Sequence, residues 1–420
     1  MSAPVTEISR STTGAAAPSP PRSLRIAVVT PELHRTGGTE RATLEIMDKL
    51  ACHHRICLFA HYWVPDDTRN ICFHRVPVLP WPGIVRFLSF FSAASLAVWR
   101  EERRHGSFDA VYSPGPNCRQ VHVVTAWFCQ ARQLDLYRSG LHRPPPASWM
   151  DRMKLWHRWC SARIASDVER AFYASPRLES VVSESHLLAR DLAHYYGVSA
   201  ERLTVAHAGV NTATFDPAER LALRPQARRE LSLADGQFVF FFIGNDWSRK
   251  GLYHVMRALV DAPEVLLCVV GADVERPESW QRFSRELGVA ERIRYLPRRR
   301  DVIYYYAAAD ALLAPSVDDP FAMMPLEAMA CGLPVIVSRQ CGVAEILGKE
   351  DALVVSRPDE TAELSAAMRL MAGDSALRQR LIENGLRLAR ENPWDRIHQA
   401  VLRELLAVAV RQASANGGGQ

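Results

Sequence analysis

The sequence has 420 residues, of which 48% are apolar and 23% charged, a composition typical of globular domains rather than of disordered or membrane-embedded chains. A formal net charge of +5 suits an anionic small ligand or an anionic membrane surface and is too small to indicate nucleic acid as a partner. The nine cysteines are scattered and never form a Cys-x-x-Cys pair, so we expect reduced thiols in the cytoplasm.

The length indicates two domains, because a single core rarely grows beyond about 250 residues. Residues 1–23 are rich in Ser, Thr, Ala and Pro and lack the apolar run of a secretion signal, so they are predicted to be a disordered leader. Residues 84–98 are the most apolar stretch, but they are interrupted by Arg86 and several serines and are shorter than the roughly 20 residues that cross a bilayer. No transmembrane helix is predicted.

The first half of the chain alternates strands with helices. A β-branched run at residues 24–30 is followed by two glycines and by helical periodicity over residues 40–50. Further strands are predicted at residues 55–60, 108–113, 120–125, 180–183 and 202–207, with a long helix over residues 146–174. Such alternation favours a parallel sheet with helices on both faces. The first Rossmann-like domain is predicted to span residues 24–206.

The second half repeats this pattern after a polar linker predicted around residues 217–225. Its strands are predicted at residues 238–244, 265–271, 293–296, 311–314, 334–337 and 352–355. The second domain is predicted to span residues 207–393. An amphipathic helix is predicted in residues 394–412, where it is free to cross back onto the first domain, and residues 413–420 are predicted to be a flexible tail. The predicted fold class is α/β, with two doubly wound parallel sheets facing across a cleft.

Two glycine-containing loops are candidates for binding an anion. Gly37 and Gly38 precede a helix, where backbone amides and the helix dipole favour negative charge, although a glycine pair alone is as typical of a tight turn. Gly244 ends a strand, and Arg249 and Lys250 follow it at the sheet edge where ligands of open α/β sheets bind. Two cations there can hold a diphosphate, although an Arg-Lys pair on a loop is more often a solvated surface feature.

A third segment, Asp-Asp-Pro-Phe-Ala-Met-Met-Pro-Leu-Glu, ends at Glu327. Asp319 is predicted in a loop after a strand, and Glu327 on a short helix that begins near Phe321 to Pro325. The loop carboxylate can accept hydrogen bonds from sugar hydroxyls, and Glu327 can hold a ribose diol. The helix N-terminus between them then faces phosphate.

This segment resembles the E-x7-E region of glycosyltransferase family 4, which comprises retaining enzymes of GT-B fold. The first glycine loop, residues 205–211 and residues 244–251 resemble other segments of that family in the same order. The resemblance extends from residue 24 to about residue 405 and is greatest to the lipopolysaccharide core glucosyltransferases. Two positions depart from the family pattern, because Asp319 stands where a Glu is usual and Ala322 where a Gly is usual.

The resemblance implies a retaining transfer of a hexose from a nucleotide-diphosphate sugar, such as a UDP-sugar, to a glycan or lipid-linked glycan of surface polysaccharide or lipopolysaccharide. It implies no metal and no further cofactor, since protein cations and a helix N-terminus would hold the leaving diphosphate. The catalytic candidates are Asp319, Arg249, Lys250 and His122. The candidate donor contacts are Gly37, Gly38, Gly244, Arg249, Lys250, Asp319, Phe321, Ala322, Met323 and Glu327.

Some patterns leave two interpretations open. His122 lies in a predicted strand and would help to position the sugar or acceptor, with a packed structural histidine as the alternative. Cys52 and Cys57 flank a His-His pair that resembles a metal cluster only superficially, so we expect a structural role. Residues 149–163 combine tryptophans with Lys and Arg, which suits either the surface of an anionic membrane or a core-packed helix with a solvated face.

These patterns indicate a cytoplasmic enzyme, with peripheral contact on the inner face of the membrane and a lipid-linked acceptor as a hypothesis. A nucleotide-sugar epimerase or a phosphorylase on the same architecture is one alternative. The known phosphorylases depend on a cofactor-bearing lysine, and only Lys250 occupies a plausible cleft loop. A non-catalytic sugar-nucleotide-binding protein of the same fold is the other alternative, motivated by Asp319 and Ala322.

Overall fold

The computed structural model describes residues 23–34, 38–64, 71–80, 83–139, 143–144, 149–271, 277–299 and 301–417. Within these ranges two parallel sheets form the centre of the molecule, one of seven strands and one of six. The predicted fold class of two doubly wound α/β units is confirmed. Nearly all of the predicted leader and the last three residues of the predicted tail lie outside the described residues.

The first sheet has the strand order β5-β3-β1-β6-β7-β8-β9, with every pairing parallel. Its strands are β1 (Arg25–Val29), β3 (Arg55–Ala60), β5 (Ile71–Arg75), β6 (Ala110–Ser113), β7 (Val123–Ala126), β8 (Ser180–Ser183) and β9 (Leu203–Val205). A small separate pair consists of β2 (Glu32–Leu33) and β4 (Tyr62–Trp63). The helices are α1 (Gly38–Ala51), α2 (Gly83–His105), α3 (Gln130–Ser139), α4 (Trp149–Tyr173) and α5 (His186–Tyr196).

The second sheet has the strand order β12-β11-β10-β13-β14-β15, again with every pairing parallel. Its strands are β10 (Phe238–Ile243), β11 (Val265–Val270), β12 (Ile293–Leu296), β13 (Ala311–Ala314), β14 (Val335–Ser338) and β15 (Leu353–Val355). The helices are α6 (Pro217–Glu230), α7 (Trp247–Lys250), α8 (Leu252–Ala258), α9 (Glu278–Glu286), α10 (Ile303–Ala308), α11 (Met323–Ala330), α12 (Thr361–Gly373), α13 (Ser375–Glu391) and α14 (Asp395–Gly417). The order reverses between β10 and β13, and open α/β sheets bind ligands at such a switch point.

The sequence did not predict strand β5. This strand lies at the edge of the first sheet, and its side chains are exposed or only partly buried. Strands buried on both faces show the continuous apolar run that sequence analysis detects, whereas an edge strand does not need one. For this reason the buried strands β10 and β11 were predicted within one residue of their observed ends.

The polar linker predicted around residues 217–225 is wrong, because this segment forms helix α6. The Asp216 side chain caps the helix by accepting a hydrogen bond from the Ala218 amide at 3.0 Å, and Pro217 occupies the first turn, where its missing N–H costs nothing. Pro225 leaves the carbonyl of Leu221 without its helical donor, but Leu221 is exposed to solvent.

Helix α14 packs across the first sheet although it follows the second sheet in the chain. Its apolar face, which includes Ile397, Val401 and Leu405, shares a core with Ile26 and Val28 of β1. The helix extends to Gly417, beyond the predicted end at residue 412. The boundary between the two domains was predicted between residues 206 and 207. It stays a prediction, because the chain runs on from β9 with no break that would mark the end of a domain.

Helix α2 is longer than the apolar stretch seen in the sequence. With 23 residues it is long and apolar enough to cross a membrane by length and composition. Three of its residues, Phe90, Ala94 and Val98, are buried in the core of the first sheet. The helix therefore has a packing role within this fold.

Candidate functional site

A cavity of about 530 Å³ lies in the cleft between the two sheets. Its floor is formed at the carboxyl end of β10, where Gly244 and the α7 turn follow the strand, and by the loop after β13. The first domain contributes the residues that follow β7 and β8. The cavity therefore occupies the switch point of the second sheet, facing the carboxyl edge of the first.

Asp319 and two cations form the charged centre of this cavity. Asp319 is 5% exposed, and its carboxylate contacts the Lys250 ammonium group directly and lies 3.7 Å from Arg249 Nη1. The Ser316 hydroxyl also donates to this carboxylate at 3.3 Å. Burial alone would raise the pKa of Asp319, but Lys250 and Arg249 together hold it below its ordinary value. The structure thus brings together three predicted site residues, with the carboxylate ionised.

Arg249 and Lys250 lie on a short helical turn rather than on an irregular loop. The Asp246 side chain accepts a hydrogen bond from the Arg249 amide at 3.2 Å and starts the turn. Gly251 ends it with a φ of +92°, a conformation that glycine adopts without steric cost. A Cβ at Gly251 would lie 2.1 Å from the carbonyl oxygen of Pro315, so this glycine lets the two loops meet.

Ala322 adopts the left-handed conformation, with φ of +63° and ψ of 80°, immediately before α11. Ala322 stands where a glycine is usual in the family that the sequence resembles. The backbone explains why glycine is usual, because only glycine adopts this conformation without strain. Ala322, Met323 and Met324 line the cavity at the start of the helix. The predicted helix N-terminus therefore faces the cations.

Two of the predicted donor contacts lie away from the cavity wall. The Phe321 side chain is 1% exposed and belongs to the core of the second domain, so the prediction that it contacts the donor is wrong for the side chain. Glu327 lies a turn further along α11 and accepts a hydrogen bond from the Tyr306 hydroxyl at 3.1 Å. Its proposed contact with a ribose diol stays a prediction.

The first glycine loop is described only in part. Gly38 is the first residue of α1, as expected for a glycine at a strand-to-helix turn, and Gly37 lies outside the described residues. Their predicted contact with the donor stays a prediction.

His122 does not lie in the cleft, so the prediction that it positions a substrate is wrong. It precedes β7 and therefore lies at the amino edge of the sheet, opposite the cavity. Its Nδ1 accepts a hydrogen bond from the Val111 amide at 3.2 Å, and burial lowers its pKa. The alternative of a packed structural histidine is the correct one.

The cavity also contains residues that the sequence analysis missed. Arg298 and Arg299, after β12, add two cations, and Trp127 and Glu184 line the wall on the first-domain side. Each of them directly follows a parallel strand or lies in the loop after one. Ligands of open α/β sheets bind at the carboxyl ends of the strands, which is why Arg249 was a candidate. The same argument would have indicated these four residues as well.

A second cavity of about 750 Å³ lies beside the first, on the first-domain side. Trp127, Asp246 and Arg249 border both cavities, so the two are neighbours. Its other walls come largely from α2, α3 and α4, and include the apolar side chains of Ile84 and Phe87. Two adjoining cavities can hold two substrates side by side.

Polar contacts fix the two domains against each other around these cavities. Asp318 accepts hydrogen bonds from Arg132 and Gln133 of α3, each at 3.2 Å. The Arg249 guanidinium carbon lies 5.6 Å from the ring centre of Phe128, a cation–π distance. These contacts join the two domains directly at the edge of the cavities.

Two groups of side chains have the spacing of metal ligands. His186, His207 and Glu345 lie across the interdomain boundary, and Cys57, His74 and Glu101 lie in the first domain. Both carboxylates already have protein partners. Glu345 accepts hydrogen bonds from two backbone amides at 2.6 and 2.8 Å, and Glu101 pairs with Arg25 at 2.8 Å. Neither group borders the 530 Å³ cavity.

Each half of the chain matches a family of glycosyltransferases in sequence. Residues 36–214 match the family described as Glycosyltransferase Family 4, and residues 224–387 match the one described as Glycosyl transferases group 1. A D-inositol 3-phosphate glycosyltransferase of Salinispora tropica is 31% identical over 242 residues, which cover 52% of this chain and 50% of that protein. The chain thus spans about half the length of the curated relatives it matches.

Solved structures of similar fold cover nearly the whole chain. WaaG, a glycosyltransferase involved in lipopolysaccharide biosynthesis, has a TM-score of 0.68 at 21% identity over 90% of this chain and 98% of its own. Anabaena HepE in complex with UDP-glucose has a TM-score of 0.66 at 17% identity over 91% of this chain and 100% of its own. The two family matches, at residues 36–214 and 224–387, place the chain among the glycosyltransferases, and its two facing sheets form the GT-B fold.

Proposed function

We propose that this protein transfers a hexose from a nucleotide-diphosphate sugar to a glycan or lipid-linked glycan acceptor. The observation that carries the proposal is the cluster of Arg249, Lys250 and Asp319 at the switch point of the second sheet, within a cavity of about 530 Å³. Cations at this edge suit a diphosphate, and a buried carboxylate suits sugar hydroxyls. The solved HepE complex supports UDP-glucose as a first donor to test.

The cations also suit the chemistry of the transfer. Negative charge develops on the departing diphosphate, and groups already oriented toward it stabilise the transition state without reorganisation. Four cations line the cavity and are positioned for this role: Arg249, Lys250, Arg298 and Arg299. We propose on this basis that the reaction needs no metal ion, and, from the family resemblance, that it retains the anomeric configuration.

The second cavity is our candidate for the acceptor site. It adjoins the first at Trp127 and Arg249, so an acceptor hydroxyl held there would approach a sugar attached to the diphosphate. The matched relatives are named for an inositol phosphate acceptor, and WaaG is described by its part in lipopolysaccharide biosynthesis. The apolar walls of this cavity favour a lipid-linked glycan of surface polysaccharide or lipopolysaccharide.

The start of α4 supports a peripheral contact with an anionic membrane on the cytoplasmic side. Trp149 and Trp156 are each 69% exposed, and Met150 and Met153 are exposed beside them. Arg152 and Lys154 are also exposed on this segment. Tryptophan and basic side chains together are typical of helices that lie in the interface of anionic lipids.

The proposal is tested first by thermal denaturation with a panel of nucleotide sugars, since a true donor stabilises the fold by mass action. Diphosphate release with acceptor extracts, repeated in EDTA, then measures turnover, and NMR of the product gives the anomeric configuration. Tight donor binding with no release under any acceptor would favour the non-catalytic alternative. Co-sedimentation with phosphatidylglycerol vesicles, compared with a Trp149→Ser/Trp156→Ser variant, tests the membrane contact.

A further inference from the structure

Glu184 lies at the carboxyl end of β8, where the first sheet faces the cleft. Strands β7 and β8 pair in parallel with Ala126 opposite Ser183. Trp127 and Glu184 are the next residues on each strand, so they lie side by side, with their backbones about 4.8 Å apart as in any sheet. Both form part of the wall of the 530 Å³ cavity.

The Glu184 side chain is buried and has no protein partner. The residue is 5% exposed, and its carboxyl group forms no hydrogen bond or ion pair with any residue that the structure describes. Buried polar groups in native proteins are nearly always paired. An unpaired carboxyl in the wall of a ligand cavity therefore indicates a hydrogen-bonding partner on the ligand.

The charged groups that face Glu184 are Asp319, Lys250 and Arg249 of the second domain. Burial raises the pKa of Glu184 well above its ordinary value, and the Asp319 carboxylate raises it further. The two cations oppose this shift, but they are already engaged with Asp319. The direction of this shift favours the neutral carboxyl group, which both donates and accepts hydrogen bonds.

The segment that carries Glu184 is held against the second domain. Ser185 caps helix α5 by accepting a hydrogen bond from the Leu188 amide at 3.0 Å. The Glu345 carboxylate accepts hydrogen bonds from the first two amides of that helix, those of His186 and Leu187, and a Cβ on Gly342 would lie 2.7 Å from the Ser185 Cβ. Glu184 is therefore fixed in position opposite Asp319.

We infer that Glu184 binds hydroxyl groups of the donor's sugar from the first-domain side of the cleft and helps to select which hexose is accepted. The inference rests on the proposed function. Trp127 beside it borders both cavities, so a sugar held here lies between the diphosphate-binding cations and the acceptor cavity. A sugar hydroxyl group can both donate and accept a hydrogen bond, so it matches a buried carboxyl group that has no protein partner.

Calorimetric titration of the full chain measures this contact. The probes are UDP-glucose, UDP-galactose and GDP-mannose, each compared with its parent diphosphate, UDP or GDP. We take as the ratio the dissociation constant of the nucleoside diphosphate divided by that of the nucleotide sugar. This ratio isolates the contribution of the sugar to the affinity. The variants are Glu184→Ala, Glu184→Gln and the control Glu179→Gln, which makes the same substitution at the opposite end of β8, where Glu179 pairs with Arg411.

For the probe that wild type prefers, we expect Glu184→Ala to lower the ratio about 2- to 10-fold, the size of one hydrogen bond, and to leave the affinity for the diphosphate unchanged. Glu184→Gln keeps a group of similar size that donates and accepts hydrogen bonds, so its ratio should stay closer to wild type than that of Glu184→Ala. Glu179→Gln should behave as wild type throughout.

An unchanged ratio in Glu184→Ala would overturn the inference. Equal losses of sugar and diphosphate affinity would also overturn it, because they would show a structural role. If Glu184→Ala fails to fold, Glu184→Met replaces it, because methionine fills a similar volume without a carboxyl group, and an unchanged ratio in that variant counts against the contact. If wild type binds none of the three sugars better than its diphosphate, the proposed donor fails and the inference falls with it.

Discussion

Lys250 and Asp319 form an ion pair that joins the turn after β10 to the loop after β13. These two strands are neighbours in the sheet, at the point where the strand order reverses. Asp319 is almost fully buried, so each partner compensates a charge that would be costly to leave alone. The pair therefore fixes the two loops against each other and keeps both charges in the wall of the cavity.

Arg249→Met should lower the rate of diphosphate release about 100- to 1,000-fold, the usual cost of removing one preorganised group that stabilises a developing anion. Methionine keeps much of the side-chain volume, so the fold should be retained. The matched control is Arg282→Met on α9, where Arg282 pairs with Glu286 on an exposed surface. A similar loss in both variants would contradict the assignment.

Ala322→Gly should stabilise the protein by about 0.5–1 kcal/mol. A left-handed conformation costs a residue with a Cβ about 1–2 kcal/mol, and the greater freedom of glycine in the unfolded chain offsets part of the gain. Urea denaturation measures the difference. Ala328→Gly, inside α11, should instead destabilise by about 1 kcal/mol or more. Destabilisation in both variants would show that the strain at Ala322 is not significant.

Gly251→Ala should destabilise the protein more than Gly236→Ala. Both glycines have positive φ, +92° and +77°, but a Cβ at Gly251 would meet the Pro315 carbonyl at 2.1 Å whereas Gly236 has nothing within 4 Å. The control should lose about 1–2 kcal/mol from backbone strain. Gly251→Ala should lose a further 1–3 kcal/mol, roughly, from overpacking, and should also lose donor affinity. Equal losses of stability in the two variants would mean that the Pro315 carbonyl does not restrict the side chain at position 251.

Glu169→Gln should remove a pH dependence of stability. Burial raises the pKa of Glu169 to about 7, although it accepts hydrogen bonds from Tyr196 and the Gln130 amide. The native state then holds a proton that the unfolded chain loses near pH 4.3, so the free energy of unfolding falls as the pH rises from about 4.5 to 7.

Chemical denaturation at several pH values compares the Glu169→Gln variant with wild type. The difference between the two should grow to roughly 3 kcal/mol across this range, at about 1.4 kcal/mol per unit of pKa. Asp167→Asn is the control, because Asp167 lies exposed on the same helix beside Arg163. Parallel curves for wild type and Glu169→Gln would show that Glu169 titrates normally.

Glu345→Ala should open the cleft, detected as a larger radius of gyration in small-angle scattering at pH 7. The carboxylate of Glu345 binds the amides of His186 and Leu187 across the domain boundary, and it also pairs with His207 at 2.9 Å. Burial would raise its pKa, but these partners hold it below the ordinary value.

The stabilisation from Glu345 is therefore present above about pH 4.3 and is lost as the pH falls through the lower folded value. Wild type should open in that acidic range. The exposed Glu350→Ala should keep the wild-type radius at pH 7. An unchanged radius in Glu345→Ala would show that other contacts suffice to close the cleft.

The central strands and the charged core of the site were predictable because they follow local rules. A strand buried on both faces has to be apolar, as β10 and β11 are. A residue that follows such a strand has to lie at the carboxyl edge of the sheet, which placed Arg249, Lys250 and Asp319 together. Helix α6 was missed because its two prolines suggest a linker, whereas the pairing of Arg224 and Arg228 with Asp310 stabilises it from outside the segment.

The sequence by itself determined two Rossmann-like halves, the family and the three charged residues at the second sheet, because apolar runs and strand ends are encoded in neighbouring residues. Only the tertiary structure decided which side chains of the first domain reach the cleft. His122 lies outside the cleft because β7 begins after it, and Glu184 lies in the wall of the cleft because β8 ends before it. Those choices depend on where strand pairing starts and on how two domains dock, and both are set by contacts between distant residues.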